Sequence, residues 1–442
     1  MSQVRKLSRG VRRRNEKLAR LRKVVRKNLA VVAVDLADRR QAAVVSDHDS
    51  AVLGRRMFPG SAWVIDEILD WALEVARASG FRGVVVACEP TGHRWKPIYE
   101  RCRVRRIGQV CVQPMLVRRA REGENYTKGR SDYGDAVIIA RLTAELRCYL
   151  PYAPEGPWAR LRHLGAWRNR LLTRASAARQ ATKDLLCCVW PSVLETAAHP
   201  ADSLTWRAAV SVSADPERIR VMGYEAFVRA VRQEIGRWGG KRPARRILDA
   251  IFHAAKTPGG VEWDRAAAAE RVGFLVADWR RSLAELVEVE ARMVAVLEEL
   301  HLRHLVETIP GLSALGAAQI LSETGDPERY EGCARTWPKH AGVCPVANES
   351  GRFKGQTKIS GRGRPRLRTA AWRVVMVALR HNAVYQARYA HLTTRSTNAL
   401  NDGQARVALV AGLLRQLFVV ITAKVAWDPA IASGAAKEAP AA

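Results

Sequence analysis

The sequence predicts an α/β chain: its first third folds around a small mixed sheet, and the remainder is largely helical. Three observations carry this. Short runs rich in Val and Ala recur between residues 29 and 112 at strand length and strand spacing. Two stretches, 158–189 and 262–302, keep apolar residues at helical period well beyond the length of an ordinary helix. Acids stand at the ends of two of the strand-like runs and at the start of a helix, where sheet folds gather side chains.

In order, residues 1–28 form a basic arm, helical or mobile, that either binds phosphates or adds solubility. Residues 29–35, Leu-Ala-Val-Val-Ala-Val-Asp, are apolar up to Asp35 and read as a first strand; 41–46 and 51–55 follow across short polar turns as a meander. Residues 63–78 switch to helical period, with Trp63, Ile65, Ile68, Leu69, Leu73 and Ala76 on one face. Residues 83–89, Gly-Val-Val-Val-Ala-Cys-Glu, read as a buried strand that ends at Glu89 and is broken by Pro-Thr-Gly. One more strand is expected over 107–112.

The stretch from Lys128 to Leu142, with Arg130 inside it, turns apolar at Ala136. Asp132 and Asp135 therefore sit at a helix start, three residues apart on one face. Two readings fit these acids: half of a metal site, or acids complementing the helix macrodipole with Ser131 or Asp132 as N-cap. The element order β-β-β-α-β-α-β-α weighs on the choice, because it is that of the RNase H fold. In that fold a carboxylate on the first strand, one at the end of the fourth and one or two on a later helix converge on metal ions. Asp35, Glu89, Asp132 and Asp135 stand in those places. Paired Mg²⁺ ions need such hard oxygen ligands to activate a nucleophile and stabilise a phosphodiester transition state. Asp38, Asp47, Asp49, Asp66 and Glu67 fall in turns or on a helix surface and are set aside.

Composition narrows the function. At 442 residues and 48% hydrophobic, the chain is globular, with room for two or three domains. It has no run of about eighteen uncharged apolar residues, and its basic start lacks the apolar core of a secretory signal. A cytoplasmic, nucleoid-associated location with no membrane partner is expected. The net charge is +30 and the pI about 10.6. Residues 1–30 hold twelve Lys or Arg against one acid, and residues 351–380 hold nine and no acid. Two such separated blocks favour a nucleic-acid partner over a membrane surface or a merely solvated face. The eight cysteines form no C-x-x-C and no finger spacing, so structural zinc is not expected, and several read as small core residues.

Beyond residue 158, Leu161, Leu164, Trp167, Leu171 and Leu172 make the stripe of a long basic helix that ends at Pro191. Residues 195–260 read as short helical pieces around a loop at 239–243, with no functional reading. With the helix at 262–302 this suggests a helical hairpin or coiled coil serving as spacer or dimerisation arm, or else a plain helical subdomain. Gly311 and Gly316, in Thr-Ile-Pro-Gly-Leu-Ser-Ala-Leu-Gly, fit a helix-hairpin-helix whose amides cradle a phosphate, or a simple Pro-Gly turn. A basic segment then carries Arg352, Lys354, Lys358, Arg362, Arg364, Arg366 and Arg368. Helices over 369–381 and 407–425 close the chain, and the Ala-rich tail after Asp428 is expected to be disordered.

This combination resembles the DEDD transposases of bacterial insertion sequences, which are RuvC-like at the N-terminus and carry a second transposase domain at the C-terminus. The matching residues are Ala33-Val-Asp35, Cys88-Glu-Pro-Thr-Gly92, Ser131-Asp-x-x-Asp-Ala136, Ile309-Pro-Gly311, Ala341-Gly-Val-Cys-Pro345, Glu349-Ser-Gly351 and Gly361-Arg-Gly-Arg-Pro-Arg-Leu-Arg368. The resemblance implies that Asp35, Glu89, Asp132 and Asp135 bind Mg²⁺ and act with a serine nucleophile, within or across protomers, through a phosphoserine–DNA intermediate. It implies a homo-oligomer, dimer or tetramer, and a structured non-coding guide RNA from the element's own end. Carried over, the nucleophile is Ser350; Ser360, in Ile-Ser-Gly, is its rival. Arg352 and Lys354 are suited to neutralise charge developing on a phosphate.

The expected organisation is a basic arm (1–28), a RuvC-like RNase H-fold catalytic domain (29–155), a helical or coiled-coil region (156–305) with an insert at about 195–260, a C-terminal transposase domain (306–427) and a disordered tail (428–442). The expected nucleic-acid contacts are Lys128, Arg130, Gly311, Arg352, Lys354, Lys358, Arg362, Arg364, Arg366 and Arg368. The expected function is Mg²⁺-dependent, RNA-guided DNA cleavage and rejoining by a transposase. The alternatives are a metal-dependent nuclease that uses water, and a non-catalytic nucleic-acid-binding protein.

Overall fold

The structure, a computed structural model, describes residues 8–124, 131–346, 349–350, 353–354 and 358–433. It divides into two compact units, residues 1–153 and 154–442.

The first unit is built on a five-stranded sheet of order β3-β2-β1-β4-β5. Its strands are β1 (Ala30–Asp35), β2 (Arg40–Ser46), β3 (Val52–Pro59), β4 (Val84–Cys88) and β5 (Gly108–Cys111). The first three form the antiparallel meander, while β1, β4 and β5 run parallel, as the RNase H-like fold requires. The alternation of β1 sorts the two cores. Val31 and Ala33 point to a face covered by α1 (Arg9–Val24), α4 (Pro114–Glu124) and α5 (Asp132–Ala144), with Leu21, Val117, Ile139 and Leu142 buried there. Ala30, Val32 and Val34 point to the face covered by α2 (Ile65–Ala78) and α3 (Trp95–Val104), through Ile68, Leu69, Ala72 and Ile98. With both faces buried, the central strands need apolar residues at every position, which is why they read as unbroken Val/Ala runs.

Three details differ from expectation. The basic arm, helical over α1 as one of its two expected states, is docked, since Leu21 and the following Val25 are buried in the sheet's core. Trp63 lies in a 3₁₀ turn ahead of α2 and is 82% exposed, so it is not part of the apolar face. Helix α4 was not expected; it is rich in charged residues, and Val117 is the one side chain fully buried among its described residues, so its sequence carries little helical signal.

The second unit is organised on two long helices, α6 (Gly156–Val189) and α11 (Arg265–Glu299). Arg160 pairs with Glu299, Arg168 with Glu290 and Arg174 with Asp278, a descending register that makes them an antiparallel hairpin. One end is capped by a lobe of α7 (Leu204–Val212), α8 (Pro216–Met222), α9 (Tyr224–Glu234) and α10 (Arg245–Lys256). Its core gathers Trp190, Trp206, Phe227, Trp238 and Trp279. Arg207 packs its guanidinium 5.7 Å and 4.9 Å from the rings of Trp238 and Trp279. The stretch that had no functional reading is thus a folded lobe with its own core.

The other end packs against α12 (Arg303–Val306), α13 (Ala314–Thr324), α14 (Thr336–Ala341), α15 (Pro365–His381), α16 (Ala383–Thr394) and α17 (Asp402–Ala423), with α18 (Pro429–Ser433) following. Helix α17 is long and apolar enough to cross a membrane, yet 61% of its apolar window is buried, with Leu413, Leu414, Leu417 and Phe418 in the core. Among the described residues between α14 and α15 lie four two-residue strands. β6 (Pro345–Val346) pairs with β9 (Lys358–Ile359), and β7 (Glu349–Ser350) pairs with β8 (Phe353–Lys354).

Gly311, in the turn between α12 and α13, has φ +88°, and a Cβ there would fall 2.5 Å from the Ala378 Cα of α15. Close helix packing accounts for this glycine. Gly311→Ala should destabilise the protein by about 2–3 kcal/mol, from backbone strain plus overpacking. Thermal melting should register this as a drop of about 5–10 °C; an unchanged melting curve would remove the packing argument.

Candidate active site

The site is set by register. Val34 of β1 is paired with Cys88 of the parallel β4, so the next residues, Asp35 and Glu89, stand side by side at the strand ends, on strands about 4.8 Å apart. Helix α5 packs against β1, β2 and β4, which brings its first turn to the same end of the sheet. Ser131 is its N-cap, its hydroxyl accepting from the Gly134 amide at 3.1 Å. Because the serine takes the capping role, Asp132 and Asp135 are left free of it on the first turn. Ile139 and Leu142 of α5 are fully buried, each contributing about 1.5–3 kcal/mol. That packing holds the helix, and the acids with it.

The electrostatics record how close the four acids stand. The Asp35 carboxyl is raised to about 6, first by burial and then by Asp135, Asp132 and Glu89, with Arg121 opposing. Glu89 is raised by burial; the Thr91 hydroxyl, 3.4 Å away, works against this. Arg121 of α4 makes a two-pronged contact with Asp135, Nε to Oδ1 at 2.6 Å and Nη2 to Oδ2 at 2.5 Å, both side chains four-fifths buried. Residue types and spacing could not single out Arg121 in its Arg-rich run. Its partner is fourteen residues away and is met only when α4 and α5 pack.

Among the described residues, no three His, Cys, Asp or Glu side chains stand ready as they are to hold a metal ion. The donor set nevertheless suits a divalent cation. Among the described residues four carboxylates face a single guanidinium, and that shortage of positive charge adds to burial in lifting the Asp35 carboxyl. A metal ion using Asp135 has to compete with Arg121.

The serine lies in the second unit. Ser350 is on β7, paired with Phe353 across the hairpin. Ser360 is half-buried, with its hydroxyl 3.4 Å from the carbonyls of both Gly342 and Arg362, so it pins the base of the loop. Of the expected nucleic-acid contacts, Lys358, Arg362 and Arg366 are exposed. Arg364 is tied to Glu323, and Arg368 donates to the Ala341 carbonyl at 2.9 Å. Lys354 is on β8. Lys128, Arg130 and Arg352 lie outside the described residues.

Two family models match the chain. One, for DEDD transposases of the IS110 type and described as a transposase, matches residues 32–191; the other, described as Transposase IS116/IS110/IS902 family, matches residues 303–390. The chain belongs to the IS110 family of transposases. The first match runs from β1 through α6 and so contains all four acids of the cluster. The second begins at α12, ends within α16 and contains the serine-bearing hairpin. The transposase is therefore a DNA-processing enzyme, and a DEDD domain implies divalent-metal catalysis in general. A comparison with curated proteins found no match.

The raised Asp35 carboxyl has a consequence for stability. Its folded value is about 6 against an ordinary 3.8, so the folded state carries a penalty that is absent below about pH 4, grows between pH 4 and 6, and is complete above pH 6. Asp35→Asn should stabilise the metal-free protein at pH 7 by about 1–2 kcal/mol, allowing for solvent screening, with the gain vanishing near pH 4. Melting in EDTA across that range measures it; a pH-independent difference would mean that Asp35 is not under this strain.

Proposed function

We propose that this transposase cuts and rejoins DNA with Mg²⁺ held by Asp35, Glu89, Asp132 and Asp135 and with Ser350 as the attacking group, working as a homo-oligomer guided by a structured RNA. The observation that carries the reading is the cluster itself: four carboxylates from β1, the end of β4 and the first turn of α5, held together although burial and mutual repulsion oppose it. Proteins keep such unfavourable arrangements chiefly where they serve chemistry.

The metal ions would supply Lewis-acid stabilisation of charge on the phosphate. The chain's own residues divide the remaining work. Asp35 must lose its proton before it can ligate, so metal affinity rises as pH passes through about 6. The Ser350 oxygen forms a bond to phosphorus as the phosphodiester's bond to its leaving ribose oxygen breaks. The serine proton passes to a base, and the ribose oxygen takes up a proton. A hydroxyl of the partner strand then reverses the step, restoring the serine and joining the strands. Ser350 is favoured over Ser360 because Ser360 is half-buried and its hydroxyl lies beside two loop carbonyls. RNA guidance and oligomer formation rest on the family resemblance, and the charge of +30 suits a chain that holds two polyanions.

A denaturing gel of the protein with Mg²⁺, guide RNA and labelled element-end DNA tests the reading. A covalent protein–DNA band should form with the wild type and be lost with Ser350→Ala, while DNA binding stays within about twofold, since one uncharged hydroxyl contributes little to backbone affinity. Equal cutting by both proteins, with free ends, would assign the chemistry to water and end the serine reading.

A further inference from the structure

Four cationic or titratable side chains from four separate elements meet at the foot of the serine-bearing hairpin. Arg162 comes from α6, Arg329 from the 3₁₀ turn Pro327–Tyr330, His340 from α14 and Arg364 from the N-cap of α15. The Arg364 amide donates to the His340 carbonyl at 2.7 Å. The Arg329 guanidinium lies 4.9 Å from the centre of the Tyr330 ring, and that ring stands edge-on to His340 at 5.3 Å. Glu323 of α13 faces this group: Arg364 donates to its carbonyl at 2.6 Å and lies 3.5 Å from its carboxylate. Arg162 has no hydrogen-bond or ion-pair partner among the described residues.

Charge does not balance here. Burial, followed by Arg364 and Arg329, pushes the His340 ring down to about 4, so at neutral pH it carries no charge. Burial and the same two arginines also lower the Arg162 guanidinium. The guanidinium groups of Arg162 and Arg364 therefore face the one carboxylate of Glu323, one positive charge in excess, and neither Arg162 nor Arg364 is fully buried. A planar guanidinium without a carboxylate partner, beside two others, suits a tetrahedral oxyanion. Location narrows the choice of anion. Ser360 donates its amide to the Cys344 carbonyl, closing the loop from which the Ser350 hairpin rises, and Arg364 follows four residues later.

We propose that Arg162, Arg329 and Arg364 form a phosphodiester-binding site that grips a DNA strand at the foot of the Ser350 hairpin. The site's role in presenting DNA to the serine rests on the proposed function above, but its binding of DNA does not.

The test is therefore a metal-free binding titration of the full chain with a labelled DNA duplex, followed by anisotropy over a range of salt. Arg162→Gln should weaken binding about five- to tenfold and reduce the salt slope by about one. Arg218→Gln, the loss of an exposed charge on α8, should change affinity less than about twofold. Ser350→Ala should bind as wild type, and its result bears on the nucleophile alone. Equal losses for Arg162→Gln and Arg218→Gln, or a loss confined to an RNA duplex of the same length, would overturn the site. If Arg162→Gln melts early, Arg329→Gln takes its place under the same criteria.

Discussion

Packing of α5 across the ends of β1 and β4 is the contact on which this transposase depends, because it holds four carboxylates together against their own repulsion. Asp35 bears the cost, with its carboxyl lifted to about 6. The opposing term is hydrophobic: Ile139, Leu142 and Ala136 are buried against a sheet whose central strands are apolar on both faces. Two or three such side chains supply several kcal/mol, enough to outweigh a penalty of burial and repulsion of that order. Arg121 takes up part of the residual negative charge by gripping Asp135. The metal-free site is thus strained but folded, in the state where a divalent ion has most to offer.

The second unit solves a different problem. Its α6–α11 hairpin is long, and each helix buries a stripe along its length, with Leu161, Leu171, Ala175 and Leu186 on one and Val272, Val276, Val289 and Met293 on the other, while ion pairs beside the stripe fix the register. Close approaches made possible by glycine lock the end that carries the hairpin. A Cβ at Gly165 of α6 would fall 2.4 Å from the Ser322 Cβ of α13, and one at Gly311 would collide with α15. These contacts position Arg162 on α6 beside Arg329 and Arg364. The same small residues that make the core dense thereby gather like charges at its surface.

The candidate acids were legible because each is marked by its neighbours. Asp35 and Glu89 end unbroken Val/Ala runs, and Asp132 and Asp135 open an apolar helix behind a serine. Such signals are local, since a strand end or a helix start is written within a few residues. Trp63 misled because periodicity ran past the true start of α2, where a 3₁₀ turn rotates it outward. Gly311 read equally well as a phosphate cradle or a turn, because the atom that demands a glycine belongs to Ala378, sixty-seven residues away.

By itself the sequence determined the strands of the mixed sheet, the two long helices, the basic character of the chain and the four acids, all properties of short segments or of overall composition. Tertiary structure alone decided which charges meet. It set Arg121 against Asp135, left Arg162 without a carboxylate among guanidinium groups, tied Arg364 to Glu323 and buried α17 as core. The physical reason is range: backbone preference and periodicity act over a few residues, whereas Coulomb and packing energies depend on distance in space. Distance between residues far apart in the chain exists only once the helices have packed.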